Sequence, residues 1–153
     1  MDQIEIVPYS PELSPFFKSI NQAWVEDHFS IEPFDQAQFD RPEETIIQPG
    51  GTIIFAKLGK DIVGTVGLHK VSEEEYELIK MGVAKSAQGR GIGLNLAVAI
   101  LDIAKEKGGK KVVLYTHSKL GPALKIYQKL GFKPAELEEG KYCRCDIKME
   151  LAL

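Results

Sequence analysis

Two hydrophobic periodicities divide this chain into predicted strands and helices. Apolar residues that alternate with polar ones, or that form short apolar runs, predict β-strands, whereas apolar residues three and four positions apart predict amphipathic helices. The predicted strands cover residues 4–9, 52–58, 62–70, 76–83, 112–115, 132–134 and 142–151. The predicted helices cover residues 11–29, 33 to about 40, 94 to the glycines at 108 and 109, and 122–130. The elements therefore follow the order β-α-α-β-β-β-α-β-α-β-β.

Turn-forming residues separate these elements. Ser10 is placed to cap the first helix, with Pro11 at its first position, and Pro42 interrupts the chain after the second helix. The sequence Gly59-Lys60-Asp61 predicts the tight turn of a β-hairpin. The run at residues 112–115 is apolar throughout, which is typical of a central strand that is covered on both faces.

Length and composition indicate a single globular domain, residues 1–153. A chain of 153 residues can bury a core, and its 44% hydrophobic and 27% charged residues are ordinary for a globular protein. No apolar run approaches the roughly 20 residues that span a bilayer, and residues 1–5 lack the features of a signal peptide. We therefore expect a cytoplasmic protein.

The two cysteines, Cys143 and Cys145, alternate on the last predicted strand. Two cysteines so close in sequence do not easily form a disulfide with one another. Since no cluster of further cysteines or histidines surrounds them, a zinc site is not expected. We interpret both as reduced structural residues that lie far in sequence from the motifs described below.

The net charge is only −3, but the charges are unevenly distributed. Residues 1–50 contain ten acidic residues and two basic ones, whereas residues 80–133 contain eleven basic residues and two acidic ones. Such asymmetry suggests two different ligands: an anionic one near the basic segment and a cationic one near the acidic segment. A nucleic-acid-binding module is disfavoured, because few aromatic residues interrupt the basic segment and the total charge is negative.

The most informative stretch covers residues 77–93, where a predicted strand leads through glycines into a long helix. Glycines at such a junction let backbone N–H groups point outward, and the helix N-terminus favours a phosphate-bearing ligand. Leu94 and Asn95 follow where a P-loop needs Lys and Ser or Thr, and Leu96 stands where a dinucleotide fingerprint needs its last glycine. The remaining pattern, Q/R-x-x-G-x-G/A, is met by Gln88, Gly91 and Gly93.

On these residues the chain resembles the GNAT superfamily of acyl-coenzyme A-dependent N-acetyltransferases. A second segment, Ala123-x-x-x-Tyr127-x-Lys129-x-Gly131-Phe132, is similar to another motif of that family, and the order of elements is the GNAT succession. The resemblance is specific from about residue 77 to residue 132 and topological elsewhere. It implies an α+β fold layered α/β/α, in which a mixed, mostly antiparallel sheet is splayed between two parallel central strands and flanked by helices.

The resemblance also implies acetyl-CoA as co-substrate and no metal ion. In the family the glycine-rich loop holds the pyrophosphate through backbone amides, and a bulge opens a gap for pantetheine and turns N–H groups towards the acetyl carbonyl. Leu120 stands where many relatives have asparagine, and His117 stands where some do. The implied coenzyme contacts are Met81, Gly82, Val83, Gln88, Gly89, Arg90, Gly91, Ile92, Gly93, Leu94, Ser118, Leu120, Ala123 and Tyr127.

Transfer of an acetyl group to an amine needs a general base and a general acid. Glu77 lies eleven residues before Gln88. In some family members a catalytic glutamate lies at this distance from the loop. Strand alternation places it on one face with Ile79 and Met81, where apolar surroundings would raise its pKa. His117 is the rival base, because its ordinary pKa suits proton transfer near neutrality. The motif places the hydroxyl of Tyr127 near the coenzyme sulfur as general acid, and direct transfer in a ternary complex is the economical mechanism.

The N-terminal helices normally form the acceptor side in this family. The resemblance therefore makes Trp24, Asp27, His28 and Phe29 the candidate acceptor-binding residues, and the partners implied are acetyl-CoA and an amine of a small molecule, amino acid or peptide. No nucleic acid or membrane partner is expected, and an exposed final strand would support a homodimer. The alternative function is a non-catalytic acyl-CoA-binding sensor or interaction domain on the same fold.

Overall fold

A computed structural model of the chain describes residues 3–137 and 145–153. Its strands are β1 (Ile4–Pro8), β2 (Thr52–Leu58), β3 (Asp61–Lys70), β4 (Glu75–Val83), β5 (Lys111–Thr116), β6 (Lys133–Ala135) and β7 (Ile147–Ala152). Its α-helices are α1 (Ser14–His28), α2 (Pro33–Asp40), α3 (Ile92–Glu106) and α4 (Gly121–Lys129). The predicted order of elements is confirmed.

Three local predictions differ from the structure. The first helix begins with a 3₁₀ turn at Pro11–Leu13, and the side chain of Ser10 makes no capping hydrogen bond. The chain after Pro42 forms a π-helical turn, Glu43–Ile47, which the sequence pattern did not predict. The last strand begins at Ile147, and just before it the backbone N–H of Asp146 donates to the carbonyl of Thr116. The part of the predicted strand at residues 142–144, which includes Cys143, lies outside the described residues.

The seven strands form one sheet in the order β1-β2-β3-β4-β5-β7-β6. Among the strands described, only β4 and β5 run parallel to each other. The final strand in sequence, β7, lies between β5 and β6, so the expectation of an exposed final strand is wrong. It was wrong because the short β6 folds back and occupies the edge position.

Helices cover both faces of the sheet, which confirms the layered fold class. On one face α3 packs Leu96, Ile100 and Ala104 against buried strand residues such as Leu68 and Leu114. On the other face α1, α2 and the π-helical turn contribute Phe17, Phe39 and Ile46, which pack with Ile53, Phe55 and Ile79 of the strands. Since the apolar residues of α3 recur at helical spacing, its buried stripe follows directly from the sequence.

Strand β4 carries a bulge at Lys80. Thr65 of β3 lies opposite Gly82, and two residues later Gly67 lies opposite Ile79, so β4 has one extra residue between these pairs. Lys80 has a φ of 52°, and it is the only non-glycine residue with positive φ in the described part of the chain. The bulge also reverses the alternation of side chains along β4.

Because of that reversal, one expected face of β4 is wrong. Ile79 packs in the cluster on the α1–α2 side, whereas Met81 packs against the cluster on the α3 side. Glu77 lies between Tyr76 and Leu78, whose side chains are on the α3 side, so its own side chain is on the opposite face of the sheet. Glu77 therefore shares its face with Ile79 but not with Met81.

Candidate active site

The parallel strands β4 and β5 separate along their length and leave a cleft between them. Their register pairs Glu75 with Lys111 and ends at Glu77 with Val113. Beyond this point a cleft of about 740 Å³ opens, lined by residues of both strands, the glycine-rich loop, α4 and the N-terminal helices. The predicted coenzyme residues that line it are Met81, Gly82, Val83, Gln88, Gly89, Gly91, Ile92, Gly93, Leu94, Leu120, Ala123 and Tyr127.

The glycine-rich loop forms one end of this cleft. Gly89 and Gly91 have φ values of 84° and 77°, which favour glycine, and Gly91 is the N-cap of α3. A Cβ atom added at either glycine would meet no heavy atom within 4 Å, so the loop presents open backbone to the cleft. The side-chain amide of Gln88 donates from Nε2 to the carbonyl of Val83 at 3.1 Å, and this hydrogen bond connects the loop to the end of β4. The first turn of α3 and the loop thus make a site suited to phosphate groups.

Two of the residues expected to contact the coenzyme do not line the cleft. Arg90 is exposed and absent from the lining. Ser118 donates hydrogen bonds from both its backbone N–H and its hydroxyl to the carboxylate of Asp146, each at 3.0 Å. The Ser118 side chain therefore helps to shape the corner after β5 and does not point into the cleft.

Close packing beside the bulge fixes Trp24. Its indole N–H donates to Oδ1 of Asn21 at 2.8 Å, and Asn21 in turn donates to the carbonyl of Phe17. A Cβ atom at Gly82 would lie 2.8 Å from Trp24 Cδ1 and 2.9 Å from Nε1. Only glycine at position 82 lets this ring lie against β4, and the ring lines the cleft there.

Tyr127 of α4 lines the same cleft. The residue is 6% exposed, and its ring contacts that of Phe132 edge to face, with 5.7 Å between the ring centroids. Burial raises the pKa of the Tyr127 hydroxyl, so the group keeps its proton at neutral pH. A protonated hydroxyl in this position is a hydrogen-bond donor and a source of a proton.

Glu77 lies where the two central strands begin to separate. The residue is 4% exposed and lines the cleft. In the sheet register it stands beside Val113 of β5 and His69 of β3. The structure thus brings Glu77 and Tyr127 to one cleft, although they are fifty residues apart in sequence.

His117 also lines the cleft, but its ring nitrogens have neighbours. Nδ1 accepts a hydrogen bond from the backbone N–H of Lys119 at 3.0 Å, so the neutral ring carries its proton on Nε2. Nε2 lies 3.6 Å from Oδ2 of Asp146. Burial acts to raise the pKa of Asp146, but hydrogen bonds from Ser118 and the nearby His117 lower it below its ordinary value. The ring of His117 also contacts Phe29 edge to face.

The candidate acceptor-side residues differ in where the structure places them. Trp24 and Phe29 line the cleft, whereas Asp27 forms an ion pair with Lys85 at 2.9 Å and is absent from the lining. His28 is the last residue of α1, and its side chain lies outside what the structure describes. None of the described acidic residues among the first fifty lines the cleft, so the expected attraction of a cationic acceptor by these charges gains no support from the structure.

Sequence reasoning missed several residues of the cleft. Phe34 and Gln38 of α2, Lys80 of β4 and Cys145 all line it. A lysine inside the apolar run Leu78-Ile79-Lys80-Met81 was a usable signal, because a buried charge in a strand needs a partner. For Cys145 the sequence offers no signal, since only the folding of β7 beside β5 brings it there.

Two further properties of the described residues bear on the site. Residues 3–137 and 145–153 contain no group of three or more His, Cys, Asp or Glu side chains arranged to hold a metal ion. No α-helix in the same ranges is both long enough and apolar enough to cross a membrane.

Comparison with known proteins gives several matches. The family model described as the acetyltransferase (GNAT) family matches residues 16–132. The N-alpha-acetyltransferase RimI of Mycobacterium tuberculosis is 31% identical over 114 residues, covering 72% of this chain and 68% of that protein. A mycothiol acetyltransferase of Corynebacterium glutamicum is 34% identical over 84 residues, covering 55% of this chain. The matched region is only 29% of that relative's length.

Solved structures match over nearly the whole chain. A GNAT-family acetyltransferase from Staphylococcus aureus Mu50 superposes with a TM-score of 0.87 at 22% identity, over 98% of this chain and 99% of that one. A GNAT-family acetyltransferase from Elizabethkingia anophelis, solved with acetyl-CoA bound, has a TM-score of 0.67 at 25% identity and covers all of both chains. From the family model and these likenesses, the chain belongs to the GNAT family of acetyltransferases.

Proposed function

We propose that this protein transfers an acetyl group from acetyl-CoA to the primary amine of a small molecule, an amino acid or a peptide. One observation carries the proposal: a single cleft between β4 and β5 joins a glycine-rich loop at one end to buried Glu77 and Tyr127 along its walls. The acetyl-CoA complex of the similar Elizabethkingia protein supports the choice of acyl donor.

The loop and the bulge would hold the two ends of acetyl-CoA. Backbone N–H groups from Gln88 to Leu94 and the N-terminus of α3 suit the pyrophosphate. Backbone N–H groups at Met81 and Val83, beside the bulge, suit the pantetheine amides and the acetyl carbonyl. Donors held in place beforehand stabilise the negative charge that develops on that carbonyl oxygen.

Glu77 is the proposed general base. The residue lines the cleft, and its carboxylate would take a proton from the ammonium, directly or through a water molecule, so that the neutral amine can attack. The lone pair of His117 Nδ1 already accepts the N–H of Lys119, and Nε2 of the neutral ring carries a proton. His117 would have to give up this hydrogen bond before accepting a proton from the amine, which favours Glu77.

Tyr127 is the proposed general acid. Its raised pKa keeps the phenol protonated, and the residue lines the cleft. After the amine nitrogen bonds to the acetyl carbon, Tyr127 would donate its proton to the thiolate as the carbon–sulfur bond breaks. The proton that the nitrogen then loses would restore the phenol. This transfer in a ternary complex requires no covalent intermediate on Cys145.

The relatives differ in the acceptors that their names state. One is named a mycothiol acetyltransferase and another an N-alpha-acetyltransferase. Together they support an amine acceptor for this chain, and they leave the choice among small molecules, amino acids and peptides to experiment.

Thioester turnover with a panel of amines tests the proposal. Release of the coenzyme thiol would be measured with acetyl-CoA and with small amines, amino acids and peptides, and acetylated products would be identified by mass spectrometry. A variant that combines Glu77→Gln and Tyr127→Phe serves as control, because it removes both proton-transfer groups with little change in shape. If acetyl-CoA binds but no amine is acetylated, the function as a non-catalytic sensor replaces this proposal.

A further inference from the structure

The bulge of β4 is joined to α2 by a buried ion pair. The ammonium of Lys80 lies 2.6 Å from Oδ1 of Asp35, and the two side chains are 7% and 0% exposed. Oδ2 of Asp35 accepts the backbone N–H of Glu32 and so belongs to the cap of α2. The ammonium also lies 5.0 Å from the centre of the Phe34 ring.

This arrangement is costly for stability. A lysine with a φ of 52° occupies a region that residues with a Cβ atom rarely adopt. Removing two charges from water is unfavourable, and a well-packed apolar pair at such a place is often as stable as the ion pair or more stable. Stability alone therefore does not account for a strained residue and a buried ion pair at the same position.

The position of the pair supplies another explanation. Lys80 directly precedes Met81, Gly82 and Val83. These three residues lie beside the bulge and line the cleft. Asp35 lies on α2, whose Phe34 and Gln38 line the acceptor side of the same cleft. The ion pair thus links the strand that offers backbone donors to the helix that borders the acceptor.

We infer that Lys80 and Asp35 are a positioning pair for acetyl transfer. The pair holds Lys80 in its left-handed conformation, and it thereby fixes the direction of the N–H groups of residues 81 and 83 relative to the acceptor wall. Neither side chain takes part in bond making or proton transfer. The inference rests on the proposed function and adds to it the residues that set the direction of the backbone N–H donors.

The test is a charge-free variant, Lys80→Met combined with Asp35→Asn. Asparagine keeps an oxygen for the N–H of Glu32, and methionine keeps much of the buried volume, so the fold is preserved while the tether is lost. The matched control combines Lys18→Met with Asp40→Asn. That pair has a similar distance, 2.7 Å, and joins α1 to α2 at the exposed surface, away from the cleft.

We expect the charge-free variant to unfold cooperatively and to bind coenzyme A within a few-fold of the wild-type affinity. We expect its kcat to fall about 10²-fold, because small misplacements of catalytic groups cost rates of this order. Hydrogen–deuterium exchange at amides 81–83 should become faster, whereas exchange in α3 should not change. The control should match the wild type in kcat and in exchange.

Two outcomes would overturn the inference: a charge-free variant with the kcat of the control, or unchanged exchange at residues 81–83. If the methionine variant does not fold, Lys80→Leu with Asp35→Asn replaces it, since leucine is also uncharged and has no freedom of its own at positive φ, and the same two readouts decide. Failure of the proposed function is distinguishable, because it appears as absent turnover in the wild type, whereas the exchange measurement needs no activity.

Discussion

Nδ1 of His117 accepts the backbone N–H of Lys119 at 3.0 Å, and this hydrogen bond favours Glu77 over His117 as the candidate base. It occupies the one lone pair with which the neutral ring could take a proton. His117 instead orders the corner between β5 and α4, together with Asp146 and Ser118. The catalytic prediction therefore concerns Glu77.

Glu77→Gln should lower kcat by about 10²–10⁴-fold near neutral pH, the usual contribution of a general base. The loss should become smaller as pH rises, because more of the amine acceptor is then already deprotonated. The measurement is kcat against pH for the wild type, Glu77→Gln and His117→Asn. A His117→Asn variant that loses the same pH dependence would return the role of base to His117.

Tyr127→Phe should lower turnover and leave the affinity for coenzyme A nearly unchanged, because only a hydroxyl is removed from a side chain that stays packed against Phe132. The raised pKa of Tyr127 means that its protonated form persists above the ordinary tyrosine value of about 10. Ionisation of Tyr127 should therefore cause no loss of activity up to that pH. Steady-state rates and calorimetry test both statements, and a Tyr127→Phe variant with wild-type kcat would remove this residue from the mechanism.

Gly91→Val should weaken coenzyme A binding roughly tenfold or more, a loss of at least about 1.4 kcal/mol. The added side chain would occupy the open surface of the loop, and valine is strained at a φ of 77°. Gly108→Val is the matched control, since Gly108 has a φ of 87° and equally open surroundings at the far end of α3. Equal affinities of the two variants in calorimetry would contradict phosphate binding at the loop.

Gln88→Ala should weaken binding less than Gly91→Val does. The side chain of Gln88 donates to the carbonyl of Val83 and orders the loop, whereas the proposed phosphate contacts come from backbone groups. Calorimetry with coenzyme A gives the comparison directly. A larger loss for Gln88→Ala than for Gly91→Val would indicate a direct contact from the Gln88 side chain.

Gly82→Ala should destabilise the fold by about 1–3 kcal/mol, the usual cost of overpacking. The new Cβ atom would lie 2.8 Å from the ring of Trp24, which the hydrogen bond to Asn21 holds in place. Trp24 is the only tryptophan of the chain, so its fluorescence reports the displaced ring. Gly121→Ala is the control, because a Cβ atom there meets nothing within 4 Å. Similar unfolding midpoints and emission for the two variants would contradict this account.

The sequence by itself determined the parts of the fold that depend on local chemistry. Helical spacing predicted α3 and its buried stripe, and glycines predicted the loop before it. The succession of hydrophobic periodicities predicted the strands and the order of elements along the chain. The glycine-rich loop and Tyr127 could be predicted as candidate site residues from two motifs, since each motif lies within a single short segment. These features need only neighbours in sequence.

Only the tertiary structure decided how the two walls of the cleft meet. The bulge at Lys80 reversed the side-chain alternation and moved Met81 to the other face from Glu77, and no local period predicts a reversal. Asp35 and Lys80 pair across forty-five residues, and Cys145 reaches the cleft through β7. Such contacts depend on how strands and helices pack once non-local surface is buried, which is why a sequence that specifies its elements does not by itself specify the geometry between them.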